Sequence, residues 1–132
     1  MQTDLKEIAQ QHGIVLALQF GSSVTGRVHP RSDVDVAILL DRSTIALREH
    51  AELLQGLQPL FPDRELDLVL INHADPLFLK KITDTCRLLH GPPEKLQALK
   101  LYAFKRYQDH RKFFELERQY AARFLATSVA TR

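Results

Sequence analysis

The sequence lacks several features that mark specialised classes of protein. Cys86 is its only cysteine, which excludes an intrachain disulfide, and because no motif marks it as a nucleophile we expect a buried, apolar role. There is no internal repeat and no low-complexity segment. No apolar run approaches the ~20 residues needed to span a bilayer, and the chain does not open on a basic segment followed by an apolar core. We therefore expect a cytoplasmic protein that makes no membrane contact.

What is present is the composition of an ordinary globular domain. The 132 residues are 45% hydrophobic and 26% charged, so the chain can bury a core without disulfides or structural metals, and we expect one domain over residues 1–132. Residues 1–94 hold nine Lys and Arg against thirteen Asp and Glu, a net −4, whereas residues 95–132 hold nine against three, a net +6. The basic segment is only modestly charged, so we expect a solvated helical face or a partner surface there, and no direct nucleic-acid binding.

Hydrophobic periodicity predicts alternating helices and strands. One helical pattern ends near Gln11, and a second runs over 43–56 with Ser43 as N-cap and Leu47 on the buried side. A third begins after Asp75 as N-cap, with Pro76 in its first turn, and a fourth extends over 94–126. Strand patterns cover 14–20, 33–40, 65–71 and 87–90. The order α, β, β, α, β, α, β, α predicts an α/β fold, with a small mixed β-sheet flanked by helices and a long C-terminal helix.

Acidic and apolar residues alternate at the start of the second predicted strand. Successive side chains of a strand point to opposite faces, so Asp33 and Asp35 share one face while Val34 and Val36 occupy the other. Like charges this close raise each other's pKa and destabilise the fold unless a cation neutralises them. The pair therefore suggests a divalent metal site.

Two further features complete a candidate site. Asp67 is held in the strand sequence ELDLVLI and supplies a third carboxylate. Gly21 and Ser22 directly follow the first strand, where a glycine lets backbone N–H groups approach an anion and a serine hydroxyl adds a hydrogen bond to phosphate oxygen. Together these residues predict a phosphate cradle beside a two-metal carboxylate cluster.

The spacing of these residues resembles a known family. The Gly-Ser pair, ten further residues and then Asp-x-Asp are similar to the G-S-x10-D-x-D signature of the nucleotidyltransferase superfamily related to DNA polymerase beta. Gly26 and Ser32 fall where that family commonly has glycine and serine, and Asp67 falls where its third catalytic carboxylate is expected. The short chain and long C-terminal helix resemble the minimal nucleotidyltransferases, among them the MntA-type antitoxins that accompany HEPN-domain toxins.

The resemblance implies a metal-dependent reaction. Asp33, Asp35 and Asp67 would be the catalytic and metal-binding residues, holding two Mg²⁺ ions about 3.5 to 4 Å apart. One ion would neutralise the triphosphate of ATP and the other would lower the pKa of the attacking hydroxyl. Asp67 would also help to take the proton of that hydroxyl. The product would be a nucleotidylated acceptor.

The resemblance also implies nucleotide-binding residues. Gly21 and Ser22 would hold the phosphates of ATP so that attack is in line with the departing pyrophosphate. Many family members have a basic residue at the position of Thr25, and in this chain Arg27 or Arg31 would supply that charge.

The C-terminal helix is the second informative stretch. It holds seven of the ten aromatic residues of the chain, distributed around more than one stripe. Because one small sheet cannot cover all of them, we expect the second half of the helix to contact a partner, with Phe113, Phe114, Tyr120 and Phe124 as anchors. The alternative is that these aromatics belong to the core of the domain itself.

Three functions stay open at this point. The first is an antitoxin that transfers AMP from ATP to a tyrosine of a cognate HEPN ribonuclease toxin, as the resemblance implies. The second is a nucleotidyltransferase that modifies small molecules of the aminoglycoside kind, which usually needs an additional helical domain. The third is a catalytically silent antitoxin that neutralises its toxin by binding alone.

Overall fold

The helices and strands follow the predicted order. The computed structural model describes residues 5–21, 24 and 33–130, with the backbone alone for 127–130. Along these residues lie α1 (Leu5–His12), β1 (Ile14–Phe20), β2 (Val34–Leu40), α2 (Leu47–Leu57), β3 (Leu66–Leu70), α3 (Pro76–Asp84), β4 (Cys86–His90) and α4 (Pro93–Ala130), with short 3-10 turns at Gln58–Leu60 and Ile71–His73. The predicted α/β fold is confirmed.

The four described strands form one mixed sheet in the order β3-β2-β1-β4. The strand β1 runs antiparallel to both of its neighbours, whereas β2 and β3 are parallel. The end of β1 therefore meets the beginnings of β2 and β3 at one end of the sheet. In this register Phe20 lies opposite Asp35, and Asp35 lies opposite Asp67.

Each face of the sheet is covered by a different set of helices. On one face, apolar side chains of the sheet pack with α1 and α2: Ile8, Ala9, Ile14, Ala17, Val34, Val36, Ile38, Leu40, Leu53, Leu57, Leu66 and Leu68. On the other face they pack with α3 and α4: Leu18, Phe20, Ala37, Ile71, Leu79, Ile82, Leu96 and Ala103. Because side chains alternate along β2, Asp35 lies on the same face as Ala37, toward α3 and α4. Cys86 is half-buried against this second core.

The helix α2 begins later than the sequence predicts. Ser43 is not its N-cap: the helix starts at Leu47, and the residue before it makes no side-chain cap. Leu47 is 86% exposed, so its predicted burial is wrong. Long-range contacts hold the preceding segment in an irregular path, because the Arg42 guanidinium donates to the His12 carbonyl oxygen at 3.0 Å and the Asn72 amide donates to the Arg42 carbonyl oxygen at 3.0 Å.

The helix α3 is positioned by a cap and by one aromatic contact. The Asp75 carboxylate accepts a hydrogen bond from the backbone N–H of Phe78 at 2.8 Å, and Pro76 occupies the first turn, as the sequence predicts. The Phe78 ring meets the Phe20 ring edge-on, with centroids 6.1 Å apart. Because Phe20 directly precedes Gly21, this contact fixes α3 beside the predicted phosphate cradle.

The helix α4 is far longer than the sheet that it covers. Its 38 residues correspond to about 57 Å at 1.5 Å per residue. Leu96 and Ala103 in its first half are buried, whereas Phe113, Tyr120 and Phe124 in its second half are 55%, 76% and 67% exposed. In the described part of the chain, neither α4 nor any other helix has a segment long and apolar enough to cross a membrane.

Candidate active site

Two aspartates from parallel strands face each other at one end of the sheet. Asp35 and Asp67 are register partners on β2 and β3, so their side chains lie on the same face of the sheet. Burial raises the pKa of Asp35, and the negative charges of Asp67 and then of Asp33 raise it further. The Lys81 ammonium acts in the opposite direction and lowers the pKa of Asp35.

This arrangement suits a divalent cation. Two neighbouring carboxylates repel each other, so a cation that binds both would remove their repulsion. Carboxylate oxygens are the ligands that Mg²⁺ takes in proteins, so the chemistry of the donor pair fits this ion.

Asp33 is placed differently from the other two carboxylates. It immediately precedes β2 and is exposed, yet its charge is near enough to raise the pKa of Asp35. Within residues 5–21, 24 and 33–130, no three acidic, histidine or cysteine side chains are grouped closely enough to hold a metal ion. Asp33 would therefore join Asp35 and Asp67 at a metal ion only if its side chain adopted a different conformation. The metal-binding roles of all three stay predictions.

The turn after β1 brings Gly21 against Asp35. Gly21 has a φ of +79°, which side-chain-bearing residues rarely adopt. A Cβ at this position would collide with Asp35 Oδ2 and lie 3.4 Å from Asp35 Cγ. The Val24 N–H donates to the Gly21 carbonyl oxygen at 3.1 Å, which closes a tight turn. Glycine is therefore required here both by the backbone and by the carboxylate beside it.

The remaining predicted nucleotide-binding residues are Ser22, Arg27 and Arg31. All three lie outside the described residues. Their predicted roles stay predictions.

A cavity of about 500 Å³ opens around the carboxylate pair. This volume lies within the range of about 300 to 1,000 Å³ that is typical of small-molecule sites. We call this space the active cavity, and its lining consists of Phe20, Gly21, Asp35, Asp67, Val69, Phe78, Lys81 and Thr85. The wall therefore combines two carboxylates and one cation with apolar side chains.

Sequence reasoning missed the contribution of α3 to this wall. Phe78 and Lys81 are spaced i and i+3, which places them along one side of the helix, and Thr85 directly follows its last residue. The cap at Asp75 identifies the start of the helix, so the sequence allows the prediction that Phe78 and Lys81 share one of its sides. The orientation of that side toward Asp35 could not be predicted from the sequence, because it depends on how α3 packs on the sheet.

The fold is that of a nucleotidyltransferase. Residues 3–95, more than two-thirds of the chain, match the family described as Polymerase beta, Nucleotidyltransferase. The chain therefore belongs to this nucleotidyltransferase family. Comparison with curated protein sequences gives no significant match.

Solved structures with the same fold include several toxin–antitoxin complexes. A toxin–antitoxin with AMP-PNP is 22% identical with a TM-score of 0.71, over 92% of this chain and 95% of that chain. The toxin–antitoxin MntA–HepT is 20% identical with a TM-score of 0.64, over 92% and 93%. The complex of a tri-AMPylated Shewanella oneidensis HEPN toxin with its MNT antitoxin is 22% identical with a TM-score of 0.61, over 86% and 84%. At these identities the likeness shows a shared fold, which is the fold that the sequence resemblance implies.

Proposed function

We propose that this chain is a Mg²⁺-dependent antitoxin that transfers AMP from ATP to a tyrosine hydroxyl of a HEPN ribonuclease toxin and thereby neutralises it. The observation that supports this function most directly is the carboxylate pair of Asp35 and Asp67 in the active cavity, closed on one side by Gly21. Membership of the nucleotidyltransferase family supports nucleotide transfer as the chemistry of this site. The toxin–antitoxin complexes of the same fold support the choice of acceptor.

The proposed roles of the acidic residues follow from their positions. Asp35 and Asp67, with Asp33 beside them, would hold Mg²⁺, which when bound supplies charge neutralisation for the triphosphate and a lowered pKa for the attacking hydroxyl. The Gly21 turn would let backbone N–H groups approach the phosphate chain, because no Cβ obstructs it. Phe20, Val69 and Phe78 give part of the cavity wall an apolar surface, which would exclude water beside a bound nucleotide and so strengthen the electrostatic interactions there.

The proposed transfer is a single displacement at the α-phosphorus. The tyrosine oxygen forms a bond to this phosphorus while the bond to the bridging oxygen of the β-phosphate breaks, and pyrophosphate leaves with that electron pair. The proton of the tyrosine hydroxyl goes to a carboxylate oxygen of Asp67. Most of the acceleration comes from positioning and electrostatic stabilisation, as in other phosphoryl-type transfers.

The second half of α4 would supply the partner contact. We call Phe113, Phe114, Tyr120 and Phe124 the aromatic surface; the first, third and fourth are exposed, and the second is half-buried. These four line a shallow groove along the helix together with Leu116, Glu117, Arg118, Ala121 and Leu125. Aromatic and arginine side chains are enriched where protein interfaces are most buried, so this surface suits a protein partner.

The test of the proposed function is a labelling experiment with a co-expressed HEPN-domain toxin. The purified pair is incubated with Mg²⁺ and ATP labelled on either the α- or the γ-phosphate, and the toxin is then analysed by mass spectrometry. We expect the α-label, but not the γ-label, on a tyrosine of the toxin, and a matching loss of its ribonuclease activity. Omitting Mg²⁺ or adding EDTA should prevent both changes.

Other outcomes identify the alternatives. A stable complex with no mass increase and full neutralisation would show a catalytically silent antitoxin. Label that appears on an aminoglycoside but not on the toxin would show a small-molecule transferase. Either result would overturn the proposed function.

Replacing Gly21 by alanine should abolish nucleotide binding. The new Cβ would collide with the Asp35 carboxylate and also occupy the turn that the phosphate chain must approach. The positive φ adds a backbone cost of about 1 to 2 kcal/mol. We therefore expect calorimetry with ATP and Mg²⁺ to detect no binding, and circular dichroism to show a folded protein with a lowered melting temperature.

Gly13→Ala is the matched control. Gly13 stands at the other end of β1 with a φ of +69°, and a Cβ there would collide with the carboxylate of Asp41 instead. This variant should lose a similar amount of stability and keep its affinity for ATP. Equal loss of ATP affinity in both variants would show that binding responds to stability alone, and unchanged affinity in the Gly21 variant would contradict the proposed cradle.

A further inference from the structure

One side of α3 faces the active cavity. Phe78, Lys81 and Thr85 all line it, and the Phe78–Phe20 ring contact holds that side of the helix toward the end of β1. Leu79 and Ile82 on the same helix are buried in the second core, so α3 cannot rotate without exposing core side chains. The backbone of α3 thus fixes the origin of the Lys81 side chain at the cavity wall.

The two adjacent lysines of α3 have different surroundings. The Lys80 ammonium is paired with the Asp84 carboxylate at 2.7 and 2.8 Å and lies 5.3 Å from the centroid of the Tyr107 ring. Lys81 forms no hydrogen bond or ion pair with any residue that the structure describes, although its charge acts on Asp35. Lys80 is therefore occupied within the fold, whereas the ammonium of Lys81 can bind a ligand.

The negative charge of the active cavity favours a cation such as the Lys81 ammonium. The described lining contains the carboxylates of Asp35 and Asp67 and a single basic side chain, that of Lys81. A polyphosphate that entered this space would add negative charge to the carboxylates already there. Lysine is a common phosphate ligand because it presents a compact point charge with three donors on a flexible stem.

We propose that Lys81 is a phosphate-binding residue of the active cavity, and that its ammonium binds the polyphosphate chain of the nucleotide from the α3 side. The inference rests on the proposed function, since it takes the ligand to be a nucleoside triphosphate. It assigns a phosphate contact to a residue outside the Gly-Ser turn and the three aspartates. Lys81 would hold the phosphates that leave as pyrophosphate as well as those that arrive with the nucleotide.

The experiment compares Lys81→Met, Lys81→Arg and Lys80→Met in the full chain. Affinities for ATP and for inorganic tripolyphosphate are measured by calorimetry with Mg²⁺ at low and high KCl, and folding is monitored by circular dichroism. We expect Lys81→Met to weaken both ligands by about 10- to 100-fold, the effect of losing one hydrogen bond to a charged group. Lys81→Arg should restore most of the affinity, and Lys80→Met should bind like the wild type.

The salt dependence provides a second readout. Because the contact is between charges at a partly open site, added KCl should weaken tripolyphosphate binding to the wild type more than binding to Lys81→Met. If Lys81 had only a structural role, Lys81→Met would alter the melting temperature, and the wild type and the variant would show the same salt dependence of tripolyphosphate binding.

Several results would overturn the inference. Unchanged tripolyphosphate affinity in a folded Lys81→Met variant would exclude the phosphate contact. It would not contradict the proposed nucleotide transfer. Equal losses in the Lys80 and Lys81 variants would show a general charge effect. A wild-type protein that binds neither ATP nor tripolyphosphate would overturn both this inference and the proposed function.

Discussion

Replacing Asp35 by asparagine is expected to reduce nucleotide transfer by at least about a hundredfold and, at the same time, to stabilise the metal-free protein. The rate falls because the variant loses a carboxylate that would bind the metal, and such ions supply several kcal/mol of transition-state stabilisation. The stability rises because Asp35 is half-buried beside Asp67, and its negative charge is unfavourable there without a cation.

The stabilising effect should depend on pH in a defined direction. The pKa of Asp35 is raised in the folded chain by burial and by Asp67, so the folded state binds more protons than the unfolded state. The contribution of this carboxyl to stability is therefore greatest below its unfolded-state pKa and is lost as the pH rises through its folded-state pKa. In EDTA, the gain in melting temperature of Asp35→Asn over the wild type should accordingly be larger at pH 7 than at pH 4.

Metal titration and a control variant complete this test. Added Mg²⁺ should raise the melting temperature of the wild type at pH 7 and leave that of Asp35→Asn nearly unchanged, since a ligand stabilises only a protein that binds it. Asp109→Asn removes an exposed carboxylate of α4 outside the cavity and should behave like the wild type throughout. A folded Asp35→Asn variant that retained transfer activity would show that this carboxylate is not part of the catalytic site.

Deleting residues 112–132 is expected to leave a folded, nucleotide-binding domain that no longer binds its partner. The described core contains no residue beyond Ala103, and Phe113, Tyr120 and Phe124 are exposed. Their loss should therefore cost little of the free energy of unfolding, whereas the loss of a buried Phe typically costs about 3 to 5 kcal/mol. Circular dichroism should show a melting temperature close to that of the full chain, and a pull-down should recover no HEPN toxin.

Single substitutions make the same test without shortening the chain. Tyr120→Ser should weaken partner binding by about 30-fold, corresponding to the ~2 kcal/mol typical of an interface hot spot. Leu47→Ser is the matched control, because Leu47 on α2 is also largely exposed but distant in sequence from the aromatic surface. A truncated chain that unfolds would assign the aromatics to the core, and a folded one that still binds the toxin normally would exclude the proposed interface.

Much of the candidate site was predictable because it depends on local sequence. Alternation along a strand places Asp33 and Asp35 on one face whatever the strand packs against, and the position of Gly21 after an apolar strand predicts a turn. The structure shows the strand from Val34 onward, with Asp35 inside it and Asp33 immediately before it, and it shows the turn, with a positive φ at Gly21. The element order followed in the same way from hydrophobic periodicity, and the Asp75 cap located the start of α3 correctly.

Other features depend on contacts between distant parts of the chain. The sequence near Ser43 does not indicate that contacts of Arg42 and Asn72 keep the segment before α2 out of a helix. The predicted helix start and the predicted burial of Leu47 were therefore wrong. In the same way, the difference between Lys80 and Lys81 is invisible in a pair of adjacent lysines. It arises because packing turns one toward Asp84 and Tyr107 and the other toward the cavity.

The sequence by itself determined which side chains share a strand face or a helix side, since those relations repeat with the 2-residue and 3.6-residue periods of the backbone. It thereby determined that aspartates stand at the starts of two strands and that aromatics surround the end of a long helix. Only the tertiary structure decided that Asp67 pairs with Asp35, because the register of β2 against β3 joins residues far apart in the chain. It also decided that the aromatic surface extends beyond the sheet, because the size of the sheet limits how much of α4 can be covered.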